Sequence, residues 1–273
     1  MKIALTIAGS DSGGGAGIQA DLKTFHQFGV FGTSVLVAVT AQNTRGVRAI
    51  HAIPDSVVAD QLAALAEDLP PAAVKTGMLA TGRLVHQVAG AIADQGWTQY
   101  VCDPVMVATS GDRLLDPEAE AVVRDRLLPL ALIVTPNLDE AGILTSLEVC
   151  DPSGMEQAGR RLLALGARAA LIKGGHLATE VMTDVLVTPS GVRHFSRPRL
   201  VTTSTHGTGC TLSAAITAGL ALGRELAESV ADALDFVHRA MQAAPALGAG
   251  HGPLNHTVPA RDPASVRRDL PGD

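Results

Sequence analysis

Cys210 lies in the run Thr205-His206-Gly207-Thr208-Gly209-Cys210-Thr211, at the opening of an apolar helix. Gly207 and Gly209 leave backbone N–H groups free to converge on one point, and the helix terminus adds partial positive charge there. This makes an anion hole suited to phosphate. The same field favours a thiolate, so the Cys210 thiol is expected to be lowered and able to take a proton from an alcohol. A lone cysteine is more often buried and inert, and the flanking glycines favour the chemical reading here. Lys173, in Leu171-Ile172-Lys173-Gly174-Gly175-His176, ends an apolar strand. It could neutralise a transferring phosphate or stand solvated. Asn137 and Glu140 have the spacing of a capping box. They could equally hold Mg2+, directly or through the waters that magnesium retains. Asp103, at a strand end, could sit near metal or phosphates; the segment after it, 106–112, has the Thr-Ser-Gly composition of a lid.

Glycines 9, 13, 14, 15 and 17 crowd the segment after the first apolar run. Gly15-Ala16-Gly17-Ile18-Gln19-Ala20 matches a loose dinucleotide fingerprint, which wants an acid at the end of the second strand about 20 residues on. Residues 33–45 hold no acid, and no GxxxxGK[ST] phosphate loop occurs. What remains is a turn whose exposed backbone a small ligand can approach closely. Gln42 follows the second strand, and its amide offers both a donor and an acceptor, as an aminopyrimidine edge needs. Met78 could pack on a flat ring.

The elements that must position these groups alternate. Short continuous apolar runs at 3–8, 33–40, 73–75, 99–103, 132–135 and 169–173 read as strands buried on both faces. Helices are expected at 17–28, 57–69, 83–94, 117–128, 138–146, 154–165, 211–222 and 225–244. That alternation implies a mostly parallel sheet covered by helices. Alternation at 181–187 and 192–196 around Thr188-Pro189-Ser190-Gly191 adds an antiparallel hairpin at one edge. In such sheets ligands bind beyond the carboxyl ends of the strands, where the polar clusters fall.

The 273 residues are 47% apolar and 18% charged, which excludes a disordered chain. No internal repeat or linker interrupts them, so a single domain over 1–273 is expected, with the last stretch frayed. The net charge of −6 and the lack of a Lys/Arg run argue against nucleic-acid binding. Cys102, Cys150 and Cys210 form no zinc or disulfide spacing, as expected in the cytoplasm. The first apolar run is too short for secretion, and no stretch is long enough to span a membrane.

Together, AGSDSGGGAGIQADLKTF (8–25), AVTAQNTRGV (38–47), KTGML (75–79), DPVMVATSGDRLL (103–115), TPNLDEA (135–141), IKGGH (172–176) and THGTGCTLSAA (205–215) resemble the hydroxymethylpyrimidine/phosphomethylpyrimidine kinases of thiamin biosynthesis. The resemblance runs in order from Ile7 to the Gly250-His251-Gly252 segment. It implies a ribokinase-like three-layer α/β/α sandwich and a homodimer acting on a small molecule. ATP and Mg2+ would convert 4-amino-5-hydroxymethyl-2-methylpyrimidine to its monophosphate and then to its diphosphate. It places Gln42 on the pyrimidine edge, with Gly9, Asp21, Met78 and Val105 lining the pocket. Cys210 takes the place of the base that the superfamily's sugar kinases fill with an aspartate. Thr205, Gly207, Thr208 and Gly209 hold phosphate with Lys173, while Asn137, Glu140 and Asp103 belong to the magnesium site.

Related kinases phosphorylate pyridoxal, some with a second cysteine in the lid; residues 106–112 hold none. The pyrimidine is therefore the expected substrate, and pyridoxal a side activity. A dinucleotide-dependent oxidoreductase is disfavoured by the missing acid, and a non-catalytic pyrimidine sensor by Lys173, Cys210, Asn137 and Glu140.

Overall fold

The computed structural model describes residues 1–106, 117–175 and 180–261. The expected lid beyond Met106, His176 and the frayed end expected beyond residue 261 lie outside the described residues.

The central strand β1 (Ile3–Asp11) leads through α1 (Gly17–Gln27) to β2 (Phe31–Asn43), its parallel neighbour. After β3 (Gly46–Ala52) and α2 (Asp55–Asp68), β4 (Ala73–Thr76) pairs with the other side of β1. Next come α3 (Gly82–Asp94), β5 (Tyr100–Cys102), α4 (Pro117–Val122), β6 (Ile133–Val134), α5 (Leu138–Thr145), α6 (Pro152–Ala164) and β7 (Ala170–Ile172). The hairpin of β8 (Val181–Thr188) and β9 (Gly191–Pro198) precedes the closing helices α7 (Thr208–Ala221) and α8 (Leu226–Gln242). Among the described residues the sheet has nine strands, in the order β3-β2-β1-β4-β5-β6-β7-β8-β9.

Alternate residues of the parallel strands enter two separate cores. Leu5, Ile7, Val74, Cys102 and Ile172 join the apolar faces of α2, α3, α5 and α6. Ala4, Ala73, Val101 and Leu171 face α1, α7 and α8. Burial on both faces is why these strands read as unbroken apolar runs. The alanines on the second face leave room for α7, which is buried at every residue from Thr211 to Ala221. Gly219 lets α7 meet α8, since a Cβ there would lie 2.6 Å from Ser229 Oγ. Phe28 closes this layer edge-on against Phe236, centroids 5.1 Å apart.

The expected hairpin forms β8 and β9, antiparallel at one edge. The other edge is antiparallel too: β2 runs on to Asn43 and pairs with β3, a strand the sequence did not announce. Most of β3 is exposed, so it carries neither an apolar run nor a clean alternation. The helix expected over 117–128 remains α-helical only to Val122; Val123–Leu127 widen into a π turn and Leu128–Leu130 tighten into a 3-10 turn around Pro129. Helix α7 starts three residues earlier than expected, which puts Thr208, Gly209 and Cys210 inside its first turn.

The glycines after β1 have a packing cause. Gly17 has φ +56, and a Cβ there would lie 2.4 Å from the Gly9 carbonyl oxygen. Gly207 has φ +82, and its Cβ would fall 1.9 Å from the carbonyl oxygen of Gly15. The loop after β1 and the start of α7 thus touch backbone to backbone. Gly29 has a similar φ of +74 with nothing within 4 Å of its Cβ position, so it separates conformational cost from clash. Gly29→Ala should cost roughly 1–2 kcal/mol for the left-handed conformation alone. Gly207→Ala should cost more than about 2 kcal/mol beyond that, because backbone must move. Equal losses in denaturant unfolding would contradict the close approach.

Candidate active site

The carboxyl ends of β1, β2, β4, β5, β6 and β7 open on one cleft of about 710 Å3. Three polar groups converge on its floor. Lys173, just beyond β7, places Nζ 3.3 Å from Asp103 Oδ1 and 3.8 Å from Glu140 Oε2. Asp103 follows β5; its Oδ1 accepts from Thr135 Oγ1 and its Oδ2 from Ser213 Oγ of α7, both at 3.2 Å. Asn137 caps α5: its side chain accepts from Glu140 N, and Glu140 Oε2 accepts from Asn137 N, both at 2.8 Å. The capping box read in the sequence is therefore built. Both residues still line the cleft, and Asn137 serves chiefly to fix the Glu140 carboxylate.

Glu140 is almost wholly buried. Burial pushes its carboxyl up to about 7; Lys173 opposes this and Asp103 adds to it. Burial pulls Lys173 down, but Asp103 and Glu140 outweigh it and hold the ammonium above its ordinary value. Two carboxylates thus share one ammonium. That oxygen-rich, negatively biased corner fits a hard divalent cation, which needs few protein ligands when phosphate oxygens and water complete its shell. Among the described residues no group of three or more His, Cys, Asp or Glu could by itself hold a metal.

Opposite this corner is the first turn of α7. Thr205, Gly207, Thr208, Gly209 and Cys210 all line the cleft. A Cβ at Gly209 would sit 3.3 Å from Lys173 Nζ, so the ammonium faces the helix terminus directly. Cys210 is where the sequence put it, but its acidity is not as expected. The residue as a whole is half-buried, yet desolvation pushes the thiol up to about 12. The Lys75 ammonium opposes the rise, and Asp21 and Asp103 add to it. Desolvation, with two carboxylates adding to it, raises the thiol instead of lowering it.

Gly9, Gln42, Met78 and Val105 line the other end of the cleft. Met78 Cε packs on the bare Cα of Gly9, where a Cβ would lie 2.6 Å away. Asp21 is the exception among the expected residues. It is fully buried beneath the cleft, 2.8 Å from Lys75 Nζ, and its other oxygen accepts from Thr6 Oγ1 at 2.6 Å. An acid one turn into α1 looks ligand-facing in sequence, but the helix turns it into the sheet. Burial pulls Lys75 down; Asp21, with Cys210 and Asp103 nearby, outweighs it and keeps the ammonium charged.

Three groups escaped the sequence reading. Lys75 ends an apolar strand, as Lys173 does, yet points inward. Asp11 and His206 meet across the loop contact, with His206 Nε2 2.8 Å from Asp11 Oδ2. Their signal was an acid inside one glycine run and a histidine opening another.

Residues 11–255 match the phosphomethylpyrimidine kinase family. The chain belongs to that family. It is 48% identical to the thiamine biosynthesis bifunctional protein ThiED of Geobacter sulfurreducens, over 94% of this chain and 53% of that longer protein. It is 48% identical to the hydroxymethylpyrimidine/phosphomethylpyrimidine kinase of Rhizobium meliloti, over 93% of this chain and 96% of the relative. Among solved structures, an ADP complex of Bacillus subtilis pyridoxal kinase superposes with a TM-score of 0.88 at 38% identity, covering 94% of this chain and 98% of that one. The fold is thus that of a ribokinase-like kinase. Cys102, at the end of β5, is buried, and burial pushes its thiol up to about 12.

The Glu140 shift has a sign that can be tested. Its folded pKa of about 7 lies above the ordinary 4.5, so its contribution to stability is full below pH 4.5 and is lost as pH rises through 7. Glu140→Gln mimics the protonated carboxyl. Its Tm relative to the parent protein should climb between pH 5 and pH 8. A difference that is flat across that range would contradict the buried, raised carboxyl.

Proposed function

We propose that this member of the family transfers the γ-phosphoryl group of ATP to 4-amino-5-hydroxymethyl-2-methylpyrimidine, and then to the resulting monophosphate, in thiamine biosynthesis. The observation that carries the reading is one cleft with an amide at one end, a helix terminus with a thiol in the middle, and an ammonium between two carboxylates beside it. The name of the Rhizobium meliloti relative supports the same substrate, and that of the Geobacter sulfurreducens relative the same biosynthesis.

In this reading Gln42 takes the aminopyrimidine edge, while Gly9, Met78 and Val105 grip the ring. The backbone N–H groups at the start of α7 receive the transferring phosphoryl group, with Thr205 at their rim. Lys173 neutralises charge on its oxygens, which is most of what phosphoryl transfer asks of a protein. Mg2+, held by Asp103 and by the Glu140 that Asn137 orients, would draw charge from the nucleotide's phosphates. The nucleotide base has an apolar end of the cleft available, with Leu212 of α7 and Leu234, Val237 and Met241 of α8. A homodimer and a cytoplasmic location belong to the same reading; no described helix is long and apolar enough to cross a membrane.

Cys210 accepts the proton of the alcohol in the first step. The second acceptor is a phosphate, already anionic at neutral pH, and needs no base. With the thiol at about 12, only a small thiolate fraction exists at neutral pH, and it grows tenfold per pH unit. The alcohol step should therefore accelerate steadily from pH 7 to 9. Cys210→Ala should slow that step by about 100-fold or more and flatten its pH profile, within the range of general base catalysis. The phosphate step should change by less than about threefold, an expectation resting on its anionic nucleophile. Equal losses in both steps would remove Cys210 as the base.

A further inference from the structure

Asp11 accepts from the backbone N–H groups of Gly13 at 2.7 Å, Gly15 at 3.0 Å and Ala16 at 2.8 Å. The His206 ring, at 2.8 Å, is its fourth partner. A carboxylate with three backbone donors is an acceptor only, so the nitrogen facing it, Nε2, must carry the hydrogen. The same Nε2 lies 3.5 Å from one terminal atom of the Gln42 amide. The amide's other terminal atom lies 3.2 Å from Thr40 Oγ1. Thr40 has one hydroxyl hydrogen, and the Ser10 carbonyl oxygen accepts it at 2.9 Å.

These hydrogens leave one consistent arrangement. The one Nε2–H of His206 is already donated to Asp11 and reaches the amide only as the weaker arm of a shared hydrogen bond, while Thr40, with its own hydrogen on the Ser10 carbonyl, accepts from the amide. As placed, the amide nitrogen faces His206 and the oxygen faces Thr40, setting donor against donor and acceptor against acceptor. Oxygen and nitrogen of an amide are nearly alike in shape, and the hydrogen-bond network decides between them. Turned by 180°, Oε1 accepts from His206 and Nε2 donates to Thr40. The chain then runs from Asp11 through His206, Gln42 and Thr40 to the Ser10 carbonyl with every polarity matched. His206 is itself held by its backbone N–H on the Gly252 carbonyl, and its ring seats over Gly15, where a Cβ would lie 2.6 Å from Cδ2.

We propose that His206 is a positioning residue that locks the Gln42 amide in the turned orientation, and so makes the site prefer a ring with an amino group beside a ring nitrogen over one with an oxo group beside an N–H. This rests on the reading of Gln42 as the residue that takes the pyrimidine edge. The locked amide keeps one lone pair on Oε1 for the exocyclic amino group and one N–H for the ring nitrogen. A 4-oxo ring presents the opposite polarity and would leave both groups unpaired, a mismatch that polar sites reject strongly.

The test compares kcat/KM for the 4-amino ring and for its 4-oxo counterpart, each bearing the hydroxymethyl group. The parent protein should prefer the amino ring by about 100-fold or more. In His206→Phe the amide can turn to suit either ring, and the preference should fall to about tenfold or less. The loss should lie in KM for the pyrimidine, with KM for ATP unchanged. His206→Gln, which restores a donor, should recover part of the preference. Thr40→Val releases the other end of the amide and should lower the preference too, so the proposal stays testable if His206→Phe fails to fold. In a Gln42→Ala background, His206→Phe should change kcat/KM by less than about twofold, because the pair acts through one group. If Gln42→Ala alone leaves the preference intact, the pyrimidine reading of Gln42 fails and the lock with it. If Gln42→Ala abolishes the preference while His206→Phe and Thr40→Val both keep it, the reading stands and the lock is overturned.

Discussion

Two backbones meet where neither can carry a side chain. At Gly15 and Gly207 the loop that follows β1 and the start of α7 come closer than any Cβ allows. Asp11 fastens that contact, with three N–H groups of its own loop on one side and the His206 ring on the other. The contact joins two halves of the cleft that are far apart in sequence. One half carries Gly9 of β1 and Gln42 of β2; the other carries the first turn of α7 with Cys210. The contact adds to the packing of α7 on the sheet in fixing the separation of the amide and the thiol, and phosphoryl transfer depends on positioning more than on covalent chemistry.

Below and beside that contact the fold buries charge at the strand ends. Lys75 and Asp21 form a pair with no solvent exposure, and Asp103, Glu140 and Lys173 form a second cluster open to the cleft. A buried pair gives little net stability, since desolvation offsets most of the attraction. Its effect is local field. Lys75 restrains the rise of the Cys210 thiol, while Asp21 and Asp103 promote it. The open cluster sets two carboxyl groups against one ammonium, and burial pushes the Glu140 carboxyl up to about 7. A divalent cation arriving together with a phosphate would complete such a corner.

The layers were legible because each parallel strand is buried on both faces and therefore apolar without interruption. Strand β3 was not, because its exposed edge position asks for no pattern. That these residues would line one cleft was legible because glycine next to Thr, Lys or Cys at a strand end has few other reasons to occur. Asp21 misled: nothing in a helical heptad says whether an acid one turn in faces ligand or sheet, and its partner Lys75 is 54 residues away. Cys210 shows the limit of a local rule. The helix terminus is real, but desolvation by surroundings distant in sequence decides the sign. The glycine loop after β1 was read as a place for a ligand to approach; Gly9 and Gly17 do line the cleft, whereas Gly15 is bare to admit a histidine.

The most direct measurement is phosphorus NMR of the parent protein with ATP and Mg2+, offering the aminopyrimidine alcohol and pyridoxal in separate reactions. A monophosphate of the pyrimidine that converts to the diphosphate, with little pyridoxal phosphate, is the result this account predicts. Pyridoxal phosphate as the main product, or a pyrimidine reaction that stops at the monophosphate, would contradict it.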